Sequence, residues 1–255
     1  MITVGQYLDR LELAAPAQAD LRALASLHQR HLLKVPFENL DIRRGQAIEL
    51  DEARFVEKIV GKRRGGFCYE LNAAFAWLLR QLGYQVDYLS AEVIGDDERP
   101  SGRDGDHLCL RVVLPGEGAW LADVGFGNGP ITPMDFASSL EIKHLAGTWR
   151  LVNGEGGTFE LQRYSRERIG FVPDYRGSIE SRELAWFSDA CAFHQTSPES
   201  PFTQRTICTI AAPDGRVTLY DDRVVIFRNG RNEELPIHDD AGRQRALRRY
   251  FGINE

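Results

Sequence analysis

The apolar period of this chain switches once, at Tyr84, and that switch restricts the fold more than any other feature. Before it, apolar residues fall at helical spacing. In DLRALASLHQRHLLKVPF, Leu21, Leu24, Leu27, His31 and Leu32 share one face, and Pro36 marks the stop. DEARFVEKIV aligns Phe55, Ile59 and Val60, and from Phe67 a wide stripe of Leu71, Ala74, Phe75, Leu78, Leu79 and Leu82 runs to Gly83. After Tyr84 the segments VDYLSAEVI, HLCLRVVLP, AWLADVGFG, TWRLVN and TFELQRYS are short, alternating or β-rich, and bounded by turn residues. They predict an antiparallel sheet or small barrel. A polar connection, QTSPESP, then leads to strand candidates RTICTIAA, VTLYDD and RVVIFRNG and a last helix. The order predicts an α+β protein in three parts: 1–85 helical, 86–190 a β-barrel, and 191–255 a small α/β unit. The loop GDDERPSGRDGD, 95–106, is polar and expected to be mobile.

With 255 residues, the chain can bury a full core. Its formal charge of −6 argues against a general nucleic-acid binder, and Arg243, Arg245, Arg248 and Arg249 form the wet side of the last helix. No apolar run has the roughly 18 residues of a membrane span, and MITVGQYLDRLEL has no signal-peptide character. Cys68, Cys109, Cys191 and Cys208 show no CxxC spacing, which predicts a cytoplasmic protein with reduced thiols.

The stretch RRGGFCYELN, 63–72, puts Cys68 in the first turn of a helix. Unpaired N–H groups and the helix dipole there favour an anion, so a thiol with an ordinary pKa of about 8.5 is expected to drop. Gly65 and Gly66 allow close backbone approach and positive φ. An inert core cysteine is the alternative. Of the six histidines, His28, His31, His107, His144, His194 and His238, only His107 stands at the mouth of a strand after a polar loop. Asp123, on the hairpin partner, is an acid among apolar residues, which requires a hydrogen-bonding reason. If the hairpin loop is Pro115-Gly116-Glu117, Leu114 faces Gly118 and Asp123 lies diagonal to His107 on the same face. An even loop without a bulge sends Asp123 to the other face. The residues permit a Cys68–His107–Asp123 triad; zinc ligation by Cys68, His107, Cys109 and Asp123 is the weaker alternative.

VPFENLD (35–41), RRGGFCYELN, the isolated His107 and DVGFG (123–127) occur in the order and approximate spacing of the arylamine N-acetyltransferases, which the chain resembles along its whole length, from YLDRL to the closing RRYFGI. The resemblance implies a helical bundle, a β-barrel and a C-terminal α/β lid around a cysteine-protease-like core. It implies that Cys68, His107 and Asp123 transfer an acetyl group from acetyl-CoA to an arylamine or arylhydrazine by a ping-pong cycle, with His107 holding Cys68 as a thiolate ion pair. Acetyl-CoA is then a co-substrate, and no permanent cofactor or metal is expected. Glu38, Arg64 and Asn72 would support the site. Phe37, Phe126 and Phe202 resemble acceptor-pocket walls, and Gly125 and Gly127 give backbone room for the donor. Pro201 stands in SPESPF where many relatives carry a polar or bulky residue. A macrolactam-forming amide synthase of the same fold and a thiol acyl hydrolase or transglutaminase-like enzyme are the alternatives.

Overall fold

The computed structural model describes residues 1–95, 98–144 and 147–254; Asp96 and Asp97, within the loop expected to be mobile, lie outside the described residues. The helices are α1 (Val4–Leu11), α2 (Leu21–Lys34), α3 (Leu40–Arg43), α4 (Glu52–Val56), α5 (Cys68–Gln81), α6 (Ser188–Thr196), α7 (Pro201–Gln204) and α8 (Asp240–Ala246). Side chains cap several of them. Thr3 and Gln6 form a reciprocal box at α1, and Asp20, Asp51 and Asp239 accept N–H groups at α2, α4 and α8. α4 runs on into a π-helical turn, Glu57–Gly61, and α8 into another, Leu247–Phe251. α5 is central. Most of its residues are buried, on all sides, so its polar Glu70 and Asn72 must find partners inside the protein.

The strands are β1 (Phe37–Glu38), β2 (Gln85–Val93), β3 (His107–Leu114), β4 (Gly118–Ala122), β5 (Met134–Asp135), β6 (Ile142–His144), β7 (Gly147–Asn153), β8 (Thr158–Ser165), β9 (Gly170–Arg182), β10 (Cys208–Ala212), β11 (Gly215–Leu219), β12 (Arg223–Arg228) and β13 (Arg231–Pro236). Eight of them form one antiparallel sheet in the order β5-β4-β3-β2-β9-β8-β7-β6. It curls into a nearly closed barrel: Asn153 Nδ2 donates to Phe136 O at 2.5 Å, and the Phe136 ring meets Phe159 with centroids 5.2 Å apart. One face of β3 turns Cys109 into the barrel with Leu89, Trp149 and Tyr175, while Leu108, Leu110, Val112 and Leu114 pack toward α5. The remaining strands make a sheet in the order β1-β10-β11-β12-β13. Its core face, Val217, Leu219, Val224 and Ile226, packs on Leu247 and Phe251. Its first strand comes from the N-terminal region, because Phe37 and Glu38 pair with Thr209 and Cys208.

Two elements depart from the sequence expectation. α6 lies across the expected boundary at 190, where Leu184–Phe187 and SDACAFHQT lack a clean apolar stripe. β9, the longest strand, contains Pro173 and Gly177, residues that argue against a strand in sequence. A register shift reconciles them: Gln162 pairs with Pro173 but Leu161 with Tyr175, so Asp174 is the extra residue of a bulge.

Candidate active site

The β3–β4 hairpin has the odd loop: Leu114 pairs with Gly118 and Leu110 with Ala122. Continued past the last ladder pair, that register brings His107 and Asp123 together, and His107 Nε2 lies 2.7 Å from Asp123 Oδ2. Both are buried, at 2% and 3% exposure. Four donors converge on the carboxylate. Tyr175 Oη donates to Oδ2 at 3.0 Å, Asn72 Nδ2 to Oδ1 at 2.9 Å, and the Gly125 N–H to Oδ1 at 2.9 Å; His107 supplies the fourth. Burial raises the Asp123 pKa, but His107, Asn72 and Gly125 outweigh burial and the net shift is downward. Asn72 is itself held, donating to Leu108 O at 2.6 Å and accepting from Val124 N–H at 3.0 Å. His28 secures the backbone of the same strand end. Its Nδ1 is 3.1 Å from Ile131 O, and its Nε2 is 3.1 Å from both the backbone nitrogen and the carbonyl oxygen of Asp123. Burial pushes its pKa down.

Cys68 is the first residue of α5 and is 3% exposed. The backbone of Leu108, the residue after His107, acts on its thiol to lower the pKa. On the other side, Gly125 lies so close that a Cβ there would come within 2.8 Å of Cys68 Cα and 2.5 Å of Asn72 Nδ2. The expected thiolate is not what this environment favours. Burial pushes the Cys68 thiol well above its ordinary value, Cys191, Asp106 and Asp123 add to the rise, and the Leu108 N–H opposes it. Sealing the sulfur from water works against the anion that the helix terminus favours. The glycine expectation also needs correcting. Neither Gly65 nor Gly66 has positive φ; Arg63 does, at 51°. The glycines serve close approach. A Cβ on Gly65 would lie 2.0 Å from Pro36 O, and one on Gly66 2.7 Å from Glu70. That space lets Glu38 N–H reach Gly66 O at 2.8 Å.

Glu38 and Arg64 belong to a second buried cluster beneath this turn. Arg64 Nη2 is 2.8 Å from Glu38 Oε1 and 2.9 Å from Asp41 Oδ1. Lys58 Nζ, on the π-helical turn, is 2.7 Å from Asp41 Oδ2 and 2.8 Å from Glu70 Oε1. Glu70 Oε2 accepts the Phe67 N–H at 3.1 Å, tying the cluster to the residue before Cys68. Burial would lower the Lys58 pKa, but Glu70, Glu38 and Asp41 drive it up. Glu70 is also raised, from 4.5 to about 7, by burial and by Glu38. The two directions differ in meaning because Lys58 divides its charge among three carboxylates, so Lys58 stays charged while Glu70 is poised between forms.

Phe37, Phe126, Gly127 and Phe202 line one cavity of about 440 Å³ between the barrel mouth and the C-terminal sheet. Phe126 joins it to the triad, with its ring 5.3 Å from that of His107. Phe202 is set by α7, where Ser200 caps the helix and Pro201 occupies a favourable first turn; its ring is 5.8 Å from Phe37. Gly125 does not line this cavity; it packs on Cys68 and Asn72 instead. Cys109 points into the barrel core, its Sγ 3.9 Å from Leu89 O, and no cluster of three or more metal-ligating side chains exists among the described residues.

The parts present are a cysteine buried at the start of α5, a histidine that a carboxylate holds on the strands packed against that helix, and an aromatic cavity at the barrel mouth. A family model described as N-acetyltransferase matches residues 20–254. The chain is 35% identical to the arylamine N-acetyltransferase pineal gland isozyme NAT-3 of Gallus gallus, over 98% of this chain and 93% of the other. The Mycobacterium marinum arylamine N-acetyltransferase in complex with CoA superposes with a TM-score of 0.89 at 30% identity, covering 99% and 93% of the two chains. The Bacillus cereus arylamine N-acetyltransferase (BACCR)NAT3, described as having a unique Cys-His-Glu catalytic triad, matches at a TM-score of 0.90 and 25% identity over 100% of both chains. This chain belongs to the arylamine N-acetyltransferase family.

Lys58, Glu70, Tyr175 and His28 were not singled out from sequence. Tyr175 is hidden behind Pro173 in a strand that does not look like one. His28 sits at ordinary helical spacing, and nothing local marks its partner 95 residues away.

Proposed function

We propose that this chain transfers an acetyl group from acetyl-CoA to the nitrogen of arylamines or arylhydrazines through an acetyl-Cys68 intermediate. The carrying observation is the 2.7 Å contact between His107 Nε2 and Asp123 Oδ2, a buried pair on the strands that pack against α5, the helix that begins at Cys68. Asp123 fixes the imidazole with Nε2–H toward the carboxylate, which leaves Nδ1 free to take the thiol proton. The sulfur then attacks the thioester carbonyl, the CoA sulfur leaves and takes the proton from His107, and the acetyl group stays on Cys68. In the second half the amine attacks that thioester, His107 receives the amine proton, and the expelled Cys68 sulfur recovers it.

Asn72 orients Asp123, and Glu38 and Arg64 hold the turn that carries Cys68. Phe37, Phe126 and Phe202 bound the acceptor ring, and Gly127 leaves backbone room for the pantetheine arm, while Gly125 gives close packing on Cys68. The three-part division at 1–85, 86–190 and 191–255, with a cysteine-protease-like core under a C-terminal lid, accommodates this cycle, and four buried cysteines outside any disulfide suit a reducing cytoplasm. Intact-mass measurement after acetyl-CoA, with peptide mapping, tests the reading. One acetyl group on Cys68, discharged by an arylamine, is expected. Hydrolysis of acetyl-CoA with no amine-dependent discharge, or acetylation elsewhere, overturns it.

A further inference from the structure

The C-terminal sheet turns one face to the aromatic cavity, and on that face an arginine stands among apolar and hydroxyl side chains. Arg216, on β11, pairs across the ladder with Ala211 and Phe227, and lies on the same face as Thr218, while Val217 and Leu219 point to the opposite core. Its guanidinium donates to Thr209 Oγ1 at 3.2 Å, and its Nε is sealed from solvent with no partner. Among the described residues, no Asp or Glu lines the cavity and Arg216 is its only cation. Arg216 as a whole is half-buried, and a guanidinium drawn this far from water is ordinarily paired with a carboxylate, because an unpaired charge is costly to desolvate. Burial accordingly draws the Arg216 pKa down to about 10.

We propose that Arg216 is a specificity-determining residue that receives an anionic group of the ligand occupying this cavity, either the carboxylate of an aromatic amino acid-type acceptor or a phosphate of the acyl donor. The planar, multidentate guanidinium suits both groups. Phe37, Phe126 and Phe202 bound the other side, so a flat aromatic amine would lie between those rings and the charge. This deepens the acetyl-transfer reading and rests on it.

The test uses two matched pairs of substrates on the unaltered protein and on Arg216→Gln. The acceptor pair is 4-aminobenzoate against 4-aminobenzamide. The donor pair is acetyl-CoA against S-acetyl-N-acetylcysteamine, which has no phosphates. A hydrogen bond to a charged group predicts that Arg216→Gln lowers kcat/KM for the anionic member of one pair, relative to its neutral partner, by about ten- to a hundred-fold. Loss in the acceptor pair identifies the carboxylate, and loss in the donor pair identifies the phosphate. Arg216→Lys should recover part of the ratio. Both ratios unchanged in Arg216→Gln overturn the proposal. If that variant does not fold, the unaltered protein decides: preference for the neutral member in both pairs overturns it, and preference for an anionic member supports it. Turnover of 4-aminobenzamide with the phosphate-free thioester measures acetyl transfer alone; its absence would count against the catalytic reading and not against Arg216.

Discussion

α5 carries two buried polar clusters, and they solve the same desolvation problem in opposite ways. Around Asn72, a single carboxylate, Asp123, is surrounded by four donors, of which only His107 can also carry a full charge. Around Glu70, three carboxylates share the charges of Lys58 and Arg64. The first cluster holds one acid with dipoles and a single imidazole. The second spends formal charges on each other and pins a turn. Preorganised dipoles aimed at one carboxylate suit chemistry, whereas mutual ion pairing suits scaffolding. Both border Cys68, one through Gly125, which packs on its Cα, and the other through the Phe67 N–H.

The comparison breaks most visibly at the sulfur. Cys68→Ser should reduce kcat by about a million-fold, as loss of a covalent nucleophile does, with the unfolding free energy changed by no more than about 1 kcal/mol. Steady-state rates alongside urea titration check both halves. Asp123→Asn should lower kcat by about 10⁴-fold, since an amide cannot hold the required histidine tautomer and sets an NH₂ against its own donors. Retention of more than a tenth of the activity would remove Asp123 from the dipolar cluster's function. In the ionic cluster the effect should move to stability. Lys58→Met strands Glu70, leaves Glu38 and Asp41 to Arg64 alone, and should cost about 3–5 kcal/mol in denaturant unfolding. A variant that is fully stable yet inactive would make this cluster part of the chemistry instead.

The two clusters should also differ in the sign of their pH dependence. Asp123 is lowered below 3.8, so its contribution is present above that value and lost as pH falls through the folded one. Glu70 is raised from 4.5 to about 7, so its contribution is complete below the lower value and lost as pH rises through the upper. Glu70→Gln should therefore flatten the fall in stability across that window, by on the order of 1–3 kcal/mol, in urea midpoints measured against pH. The smallest effect is expected at the rim of the dipolar cluster. Tyr175→Phe removes one of four donors and should slow turnover by about tenfold or less. A larger loss would mean that the tyrosine proton itself takes part.

What sequence determined here was local and periodic. Helical spacing before Tyr84 and alternation after it define the main helices and strands. A loop of three residues between Leu114 and Gly118 puts Asp123 on the face of His107, because a strand's side chains alternate with period two. The GGFC turn places a thiol at a helix start for equally local reasons. Tertiary structure decided the rest. Whether that thiol is ionised depends on how completely the barrel seals it, a sum over surroundings that no window of sequence contains. β9 exists because a bulge at Asp174 lets a proline-bearing segment complete the barrel and turn Tyr175 inward. Lys58 meets Asp41 and Glu70, and Arg216 faces the cavity with no acid beside it, because burial and charge pairing are set by which surfaces the folded chain presses together.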